Sequence, residues 1–152
     1  MSQPDRPENK PVLLIVDDTP GNLRLAGALL RDLYNVRVAS SGEAALKLLD
    51  GGLHPDLILL DVVMEGMSGY DACRLIRENP VTASIPVLFL TGMDDQDSYI
   101  TGLSAGAADF VAKPICPPQL LIRVRQQIEM QELRRQLAAT RQELADLRAG
   151  NG

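Results

Sequence analysis

Residues 55–61 read PDLILLD, a stretch with four consecutive apolar residues that ends in a carboxylate. An apolar run without polar alternation is typical of a strand buried on both faces, as at the centre of a parallel sheet. Asp61 then lies at the carboxyl end of that strand, which is the edge where open α/β sheets bind their ligands. The stretch therefore predicts the central strand and a candidate functional residue.

Four further strands are predicted on either side of this one, at residues 12–16, 36–39, 86–90 and 110–112. A helix is predicted after each of the five strands. Five strand–helix repeats specify parallel strands, because right-handed crossovers place the helices on both faces of the sheet. The predicted fold class is therefore α/β, a (βα)5 doubly wound parallel sheet.

Local signals mark where the helices begin and end. A capping threonine and a proline at residues 19–20 start the first helix, whose apolar stripe extends to Leu33. Ser40, with Glu43 three residues later, predicts a capping box for a second helix over residues 43–50. The third helix is predicted to end at residues 79–80, the fourth to cover about residues 95–105, and the fifth to run from residue 117 almost to residue 150.

The composition fits one globular domain with appendages. The chain has 152 residues, of which 45% are hydrophobic, and this is enough for a substantial core. The polar residues 1–10 are predicted to be a disordered leader. Residues 1–118 carry a net charge of −7, from 9 Lys and Arg against 16 Asp and Glu, whereas residues 119–152 carry +2, from 6 against 4. An acidic globule argues against direct nucleic-acid binding by this segment.

Cysteine use and hydropathy predict the compartment. Cys73 and Cys116 lack the CxxC spacing of redox and metal sites, and no signal peptide is visible, which is typical of a reduced compartment. No apolar stretch approaches the roughly 20 residues that a membrane span requires. We therefore expect a cytoplasmic protein without membrane contact.

Polar residues follow four of the five strands. Asp17 and Asp18 follow the first strand, Asp61 ends the central one, and Thr91 and Lys113 follow the last two. The carboxyl ends of parallel strands share one edge, so these side chains are expected to converge. Three close carboxylates repel one another, at about 4 kcal/mol for a pair 4 Å apart at an effective dielectric of 20. Lys113 supplies one counter-charge, and Mg²⁺, which prefers carboxylate and water oxygens, is the predicted cofactor.

These motifs resemble the receiver domain of two-component response regulators. The resemblance is carried by VDD at residues 16–18, LLD at 59–61, LT at 90–91, GAADF at 106–110 and KP at 113–114, and it covers roughly residues 11–125. It implies a flavodoxin-like strand order of 2-1-3-4-5 and a cis peptide bond between Lys113 and Pro114. It also implies a phosphoacceptor that receives its phosphoryl group from a sensor histidine kinase or a phosphotransfer protein. Such a protein is not an enzyme beyond catalysing its own phosphorylation and dephosphorylation.

The resemblance also implies a role for each site residue. Asp61 is the expected phosphoacceptor and Lys113 the cation beside it. Mg²⁺ is expected to bind Asp17, Asp18, Asp61 and the backbone carbonyl of Val63. Thr91 and Phe110 are the expected switch residues, although an aromatic residue in a fifth strand is also explained by simple burial in the core.

The sequence departs from the family's pattern after the expected phosphoacceptor, which affects the expected loop geometry and partner contact but not the chemistry at Asp61, and two alternative functions remain open. The family commonly has proline four residues after the phosphoacceptor, and this chain has Glu65, which adds a negative charge and removes a rigid turn former. One alternative is a receiver-like scaffold that is never phosphorylated, although its usual signature, a lost Asp or Lys, is not found in this sequence. A less favoured one is a flavodoxin-like cofactor-binding protein, for which the loop DDTPGN after the first strand is too acidic to bind phosphate without a metal.

The last helix is longer than the domain requires. Residues 11–128 are assigned to the receiver domain, with Leu121, Val124 and Ile128 facing the sheet, and residues 150–152 to a disordered end. Residues 129–149 are assigned to a coiled-coil extension whose seam is formed by Met130, Leu133, Leu137, Thr140, Leu144 and Leu147. Arginine at the e positions and Glu, Gln and Glu at the g positions favour a parallel homodimer through residues 130–147. A single solvated helix is the alternative.

Overall fold

The computed structural model of this chain describes residues 10–92 and 103–151. Its strands are β1 (Val12–Val16), β2 (Asn35–Ala39), β3 (Leu57–Asp61), β4 (Val87–Thr91) and β5 (Asp109–Ala112). Its helices are α1 (Pro20–Leu30), α2 (Gly42–Asp50), α3 (Gly69–Glu78) and α4 (Pro117–Asn151). Most of the helix predicted at residues 95–105 lies outside the described residues, as do residues 1–9 of the predicted leader.

The five strands form one parallel sheet in the order β2-β1-β3-β4-β5. This order confirms the predicted fold class. All five residues of β3 are buried, as the apolar run predicted. Side chains alternate across a strand, so Ile58 and Leu60 enter one core cluster while Leu57 and Leu59 enter another. Because β3 is the third of the five strands in this order, its last residue, Asp61, lies at the middle of the carboxyl edge.

The two core clusters lie on opposite faces of the sheet. One contains Ala45 and Leu49 of α2 with Ala72 and Ile76 of α3. The other contains residues of α1 and of the first three turns of α4, namely Ala26, Leu30, Leu120, Val124 and Ile128. Helices therefore cover both faces, which is the doubly wound arrangement that right-handed crossovers produce.

Two helix ends differ from the sequence predictions. The cap of α2 is Ser41 and not Ser40, because the Ser41 Oγ accepts a hydrogen bond from the backbone N–H of Ala44 at 3.0 Å. Helix α1 ends at Leu30, and Leu33 lies exposed beyond it. Tyr34 is buried instead, since its N–H donates to the Leu30 carbonyl and turns the chain toward β2.

Lys10, which was assigned to the leader, is attached to the domain. Its Nζ donates to the backbone carbonyl of Asp32 at 3.0 Å, and its own carbonyl accepts from the side chain of Asn35 at 3.3 Å. At the other end of the chain, Gly150 and Asn151 are helical. The prediction that a disordered end begins at residue 150 is therefore corrected.

Helix α4 continues well past the sheet. Leu120 rather than Leu121 is its first fully buried leucine, while Leu121 is partly buried against the same cluster. Beyond Ile128 the side chains described are exposed, apart from the partly buried Gln131. Arg135 bonds to Asp56 at the opposite edge of the sheet from the site. Within the described ranges, no helix combines the length and the hydropathy needed to cross a membrane.

Candidate functional site

The candidate site is an acidic cluster at the carboxyl edge of the sheet. Asp17 and Asp18 follow β1, and Asp61 ends β3 beside it. One carboxylate oxygen of each residue lies within 4.8 Å of the other two. Asp17 is fully buried and Asp61 is 4% exposed, whereas Asp18 is open to solvent. The cluster therefore has two inner carboxylates and one outer carboxylate.

Lys113 bridges the two inner carboxylates. Its Nζ lies 2.9 Å from Oδ1 of Asp61 and 3.1 Å from Oδ2 of Asp17. The residue follows β5, and its backbone N–H donates to the carbonyl of Thr91 at 2.8 Å, which aligns the ends of β4 and β5. The next peptide bond, to Pro114, is cis, as the resemblance implied. The ammonium thus reaches both acids from the end of β5, an edge strand that β4 separates from β3.

The protonation of the cluster reflects burial and mutual charge. Burial raises the pKa of Asp61, and the hydrogen bond from Lys113 opposes this while the Asp17 charge adds to it. Burial lowers the pKa of Lys113, but its bonds to Asp61 and Asp17 outweigh that effect, so the net pKa is raised. Lys113 is therefore a firmly charged ammonium at neutral pH, held against carboxylates that a single cation does not fully neutralise.

The loop between β3 and α3 is held in place by hydrogen bonds that the sequence did not predict. The backbone N–H of Glu65 donates to Oδ2 of Asp18 at 3.0 Å, and that of Met67 donates to Oε1 of Glu43 at 3.1 Å. Gly69 closes the loop, with its N–H donating to the Val62 carbonyl at 2.8 Å. The only sequence signal for these contacts is the departure from proline at residue 65, because proline has no N–H to donate.

Gly69 is required by close packing against the end of β3. A Cβ at this position would meet the backbone carbonyl of Asp61 and lie 2.9 Å from the Cα of Val62. Both neighbours are backbone atoms, so they cannot move aside as a flexible side chain could. The start of α3 can therefore pack directly on the end of β3 only with glycine there.

The two expected switch residues lie on adjacent strands. Thr91 is the partly exposed last residue of β4, and Phe110 is the second residue of β5. The Phe110 ring is half-buried, and its centroid lies 5.8 Å from that of Phe89 with a 45° tilt. Phe110 thus contacts the core without being enclosed by it.

The donor set of the cluster fits a hard divalent cation. Asp17, Asp18 and Asp61 offer carboxylate oxygens only, and the bound Lys113 leaves two negative charges uncompensated. Among residues 10–92 and 103–151, no other group of three acidic, cysteine or histidine residues is close enough to hold a metal. Val63, whose carbonyl is the further predicted ligand, lies in the loop after β3 with its side chain exposed.

Comparison with known proteins agrees with this arrangement. Residues 13–125 match the model of the response regulator receiver domain. The chain is 41% identical over 134 residues to the response regulator PleD of Caulobacter vibrioides, an alignment that covers 85% of this chain and 29% of PleD. It is 36% identical over 121 residues to the DNA-binding response regulator MtrA of Mycolicibacterium smegmatis, covering 79% of this chain and 51% of MtrA.

A solved structure shares the fold. The signal receiver domain of a signal transduction histidine kinase from Syntrophus aciditrophicus superimposes with a TM-score of 0.72 at 32% identity, covering 78% of this chain and 90% of that one. The chain spans 29% and 51% of the length of the two curated relatives above. The family match covers most of this chain, and the strand order and acidic edge agree with it. This protein therefore belongs to the response regulator receiver domain family.

Proposed function

We propose that Asp61 is the phosphoacceptor of a two-component phosphorelay. The single observation that carries the proposal is the 2.9 Å contact between Asp61 Oδ1 and Lys113 Nζ inside an acidic cluster at the carboxyl edge. Asp61 is the member of the cluster that ends the central strand and contacts the ammonium directly. The partner that fits is a sensor histidine kinase or a phosphotransfer protein, since receiver domains interact with such proteins.

The proposed reaction is transfer of a phosphoryl group from a phosphohistidine to Asp61. A carboxylate oxygen of Asp61 attacks phosphorus, the P–N bond breaks, and the electron pair of that bond remains on the imidazole. Lys113 neutralises part of the charge on the transferring oxygens, and Asp17 holds the Lys113 ammonium in position. When bound by Asp17, Asp18, Asp61 and the Val63 carbonyl, Mg²⁺ supplies the further positive charge that this transfer needs.

The phosphoryl group is proposed to act through Thr91 and Phe110. A phosphoryl group adds about −1.5 to −2 charge and strong acceptor oxygens at neutral pH. The Thr91 hydroxyl is a suitable donor, because Thr91 ends β4 beside the strand that carries Asp61. Phe110 has room to respond, because its ring is only half-buried against Phe89. Movement of both residues would change the surface formed by β4 and β5.

The helical extension is proposed to be the output, as a parallel homodimer through residues 130–147. Five apolar residues of the predicted seam are exposed: Met130, Leu133, Leu137, Leu144 and Leu147. Arg135 occupies an f position, on the opposite side of the helix from the seam, and is bonded to Asp56 of its own domain. This contact supports the proposal, because it leaves the seam on the side of the helix that faces away from the domain.

Phosphorylation is tested by intact mass spectrometry. A small phosphodonor with Mg²⁺ should add about 80 Da to the protein, the mass of one phosphoryl group, and Asp61→Asn should abolish the addition. Asp71→Asn is the matched control, because Asp71 is an exposed carboxylate on α3. Labelling of the Asp61→Asn variant to the same extent would refute the site. Absence of labelling in the unaltered protein, with either a small donor or a phosphorylated kinase, would favour the unphosphorylated scaffold.

Dimerisation is tested by cross-linking. Cysteine is introduced at Leu144 in a background that lacks Cys73 and Cys116, and disulfide formation is measured with and without phosphodonor. A parallel dimer brings the two copies of residue 144 together, so cross-linking is expected and should change on phosphorylation. A protein that stays monomeric at high micromolar concentration in both states would refute the homodimer.

A further inference from the structure

The outer acid of the cluster is held by a backbone group from another element. Asp18 lies after β1, and its Oδ2 accepts a 3.0 Å hydrogen bond from the N–H of Glu65, 47 residues away in the loop after β3. The inner acid Asp17 is held differently, by the N–H of Thr19 at 2.9 Å and by Lys113 at 3.1 Å. Because Asp18 is exposed, surrounding residues do not hold its side chain in place, and the hydrogen bond from the loop restrains it instead.

The loop that supplies this N–H is itself anchored at its far end. The N–H of Met67 donates to Glu43 on α2 at 3.1 Å, and the N–H of Gly69 donates to the Val62 carbonyl at 2.8 Å. The hydrogen bond from the Glu65 N–H to Asp18 attaches the loop to the segment that follows β1 as well. The loop is therefore tied to α2, to β3 and to Asp18, with Val63 inside it.

We propose that the backbone N–H of Glu65 is a positioning group that orients the Asp18 carboxylate for Mg²⁺, an inference that rests on the proposed function for the cation itself. The bond joins the two segments that carry the outer ligands, Asp18 after β1 and Val63 after β3. A site whose ligands are already oriented loses less conformational freedom when it binds. Glu65 does not touch the reacting atoms and acts only through Asp18.

The residue type at position 65 decides whether this bond exists. The bond uses the main-chain N–H, so any residue except proline can make it. Proline, which the family commonly has four residues after the phosphoacceptor, would leave Oδ2 of Asp18 without this donor. The departure at Glu65 is therefore a gain of one hydrogen bond to a ligand, in addition to the gain of a charge.

The test separates the N–H from the side-chain charge. ¹⁵N-labelled protein is titrated with Mg²⁺ by NMR, using the unaltered chain, Glu65→Ala and Glu65→Pro. Alanine removes the charge and keeps the N–H, whereas proline removes both and also fixes the backbone angle φ, so the comparison of the two variants removes the side-chain charge from consideration. Mg²⁺ affinity of the proline variant should be roughly three- to tenfold weaker than that of the alanine variant, as expected for one net hydrogen bond.

A second measurement is independent of Mg²⁺ and of folding of the proline variant. In the Mg²⁺-free protein, the amide proton of Glu65 should exchange with solvent more slowly than an unbonded amide, and Asp18→Ala should remove that protection. Equal Mg²⁺ affinity of the alanine and proline variants, or an unprotected Glu65 amide, would overturn the inference while leaving the phosphoacceptor proposal intact. If the unaltered protein bound no Mg²⁺, this inference and the proposed cation site would both be wrong.

Discussion

Replacing Asp61 by asparagine should stabilise the Mg²⁺-free protein at neutral pH, although it removes the proposed phosphoacceptor. The Asp61 carboxylate is nearly buried and lies within 4.8 Å of carboxylate oxygens of Asp17 and Asp18. Burial raises its pKa, and Lys113 opposes this without cancelling it. The charged form of Asp61 is therefore less favourable in the folded protein than in the unfolded chain.

The magnitude follows from the distances. The carboxylate oxygens lie within 4.8 Å of one another, so each like-charge repulsion is at least about 3.5 kcal/mol at an effective dielectric of 20. The attraction of Lys113 at 2.9 Å is about 5.7 kcal/mol on the same scale. Asp18 is exposed, so water screens much of its repulsion of Asp61. The attraction by Lys113 and the two repulsions therefore nearly cancel. Burial of the charge then remains, and we expect asparagine to add roughly 1 kcal/mol to the free energy of unfolding, because its amide still bears some burial cost.

The effect has a definite dependence on pH. Because the folded-state pKa of Asp61 is raised, its contribution to stability is fully present below the unfolded pKa and is lost as pH rises through the folded pKa. The asparagine variant does not undergo this loss. Its advantage should therefore be largest at neutral pH and should shrink as pH falls toward the ordinary carboxyl value of 3.8.

Urea unfolding followed by circular dichroism, in EDTA at several pH values, measures the difference. Asp71→Asn, which alters an exposed carboxylate, should change stability by no more than about 0.5 kcal/mol. Saturating Mg²⁺ should reverse the order of Asp61→Asn and the unaltered protein, because a cation that binds the intact site stabilises only its folded state. The reasoning is refuted if the asparagine variant is less stable than the unaltered protein in EDTA at neutral pH, or if its advantage is the same at acid pH.

Three other predictions follow from packing and burial. Gly69→Ala should lower the free energy of unfolding by about 1 to 3 kcal/mol, because the added Cβ meets backbone atoms. In the same urea assay, Gly27→Ala should raise the free energy of unfolding by roughly 0.5 to 1 kcal/mol, because a Cβ on this helical glycine meets nothing within 4 Å. Equal effects of the two substitutions would contradict this prediction. A thiol reagent should label the exposed Cys116 within minutes and Cys73 only on unfolding, because burial covers the Cys73 thiol and raises its pKa. Equally fast labelling of the two cysteines in the folded protein would contradict this prediction. Thr82→Val should lower the free energy of unfolding by about 1 to 2 kcal/mol, because it removes a buried hydroxyl that donates at 2.7 Å to the Ile76 carbonyl in the last turn of α3. An unchanged thermal unfolding temperature would show that this hydrogen bond does not stabilise the fold.

Much of the fold and the inner site could be predicted from local sequence. Strand β3 follows from four consecutive apolar residues, since a strand covered on both faces excludes polar side chains. The convergence of Asp17, Asp61 and Lys113 follows from their positions at parallel strand ends, and in the structure Lys113 lies within ion-pair distance of both acids. These inferences succeed because neighbouring residues encode strand burial, and the alternation of strands and helices along the chain encodes strand direction.

The predictions that needed correction involve a choice between adjacent residues. The sequence favoured Ser40 as the cap of α2, because Glu43 lies three residues after it. In the structure Ser41 is the cap, since its Oγ accepts the hydrogen bond from the N–H of Ala44. Glu43 is thereby released from the capping role, and its carboxylate accepts from Met67 in the loop beside the site. Local spacing cannot distinguish these outcomes, because the competing partner comes from a distant segment.

The sequence alone therefore determined the sheet, its polar carboxyl edge and the identity of the inner site residues. Only the tertiary structure decided which acid Lys113 contacts beside Asp61, which acid remains exposed, and which backbone N–H restrains it. The bond from Glu65 to Asp18 joins residues 47 positions apart. Its existence depends on the distance between the ends of β1 and β3, which is set by strand register and by the packing of Gly69, and neither can be read from the residues flanking Asp18 or Glu65.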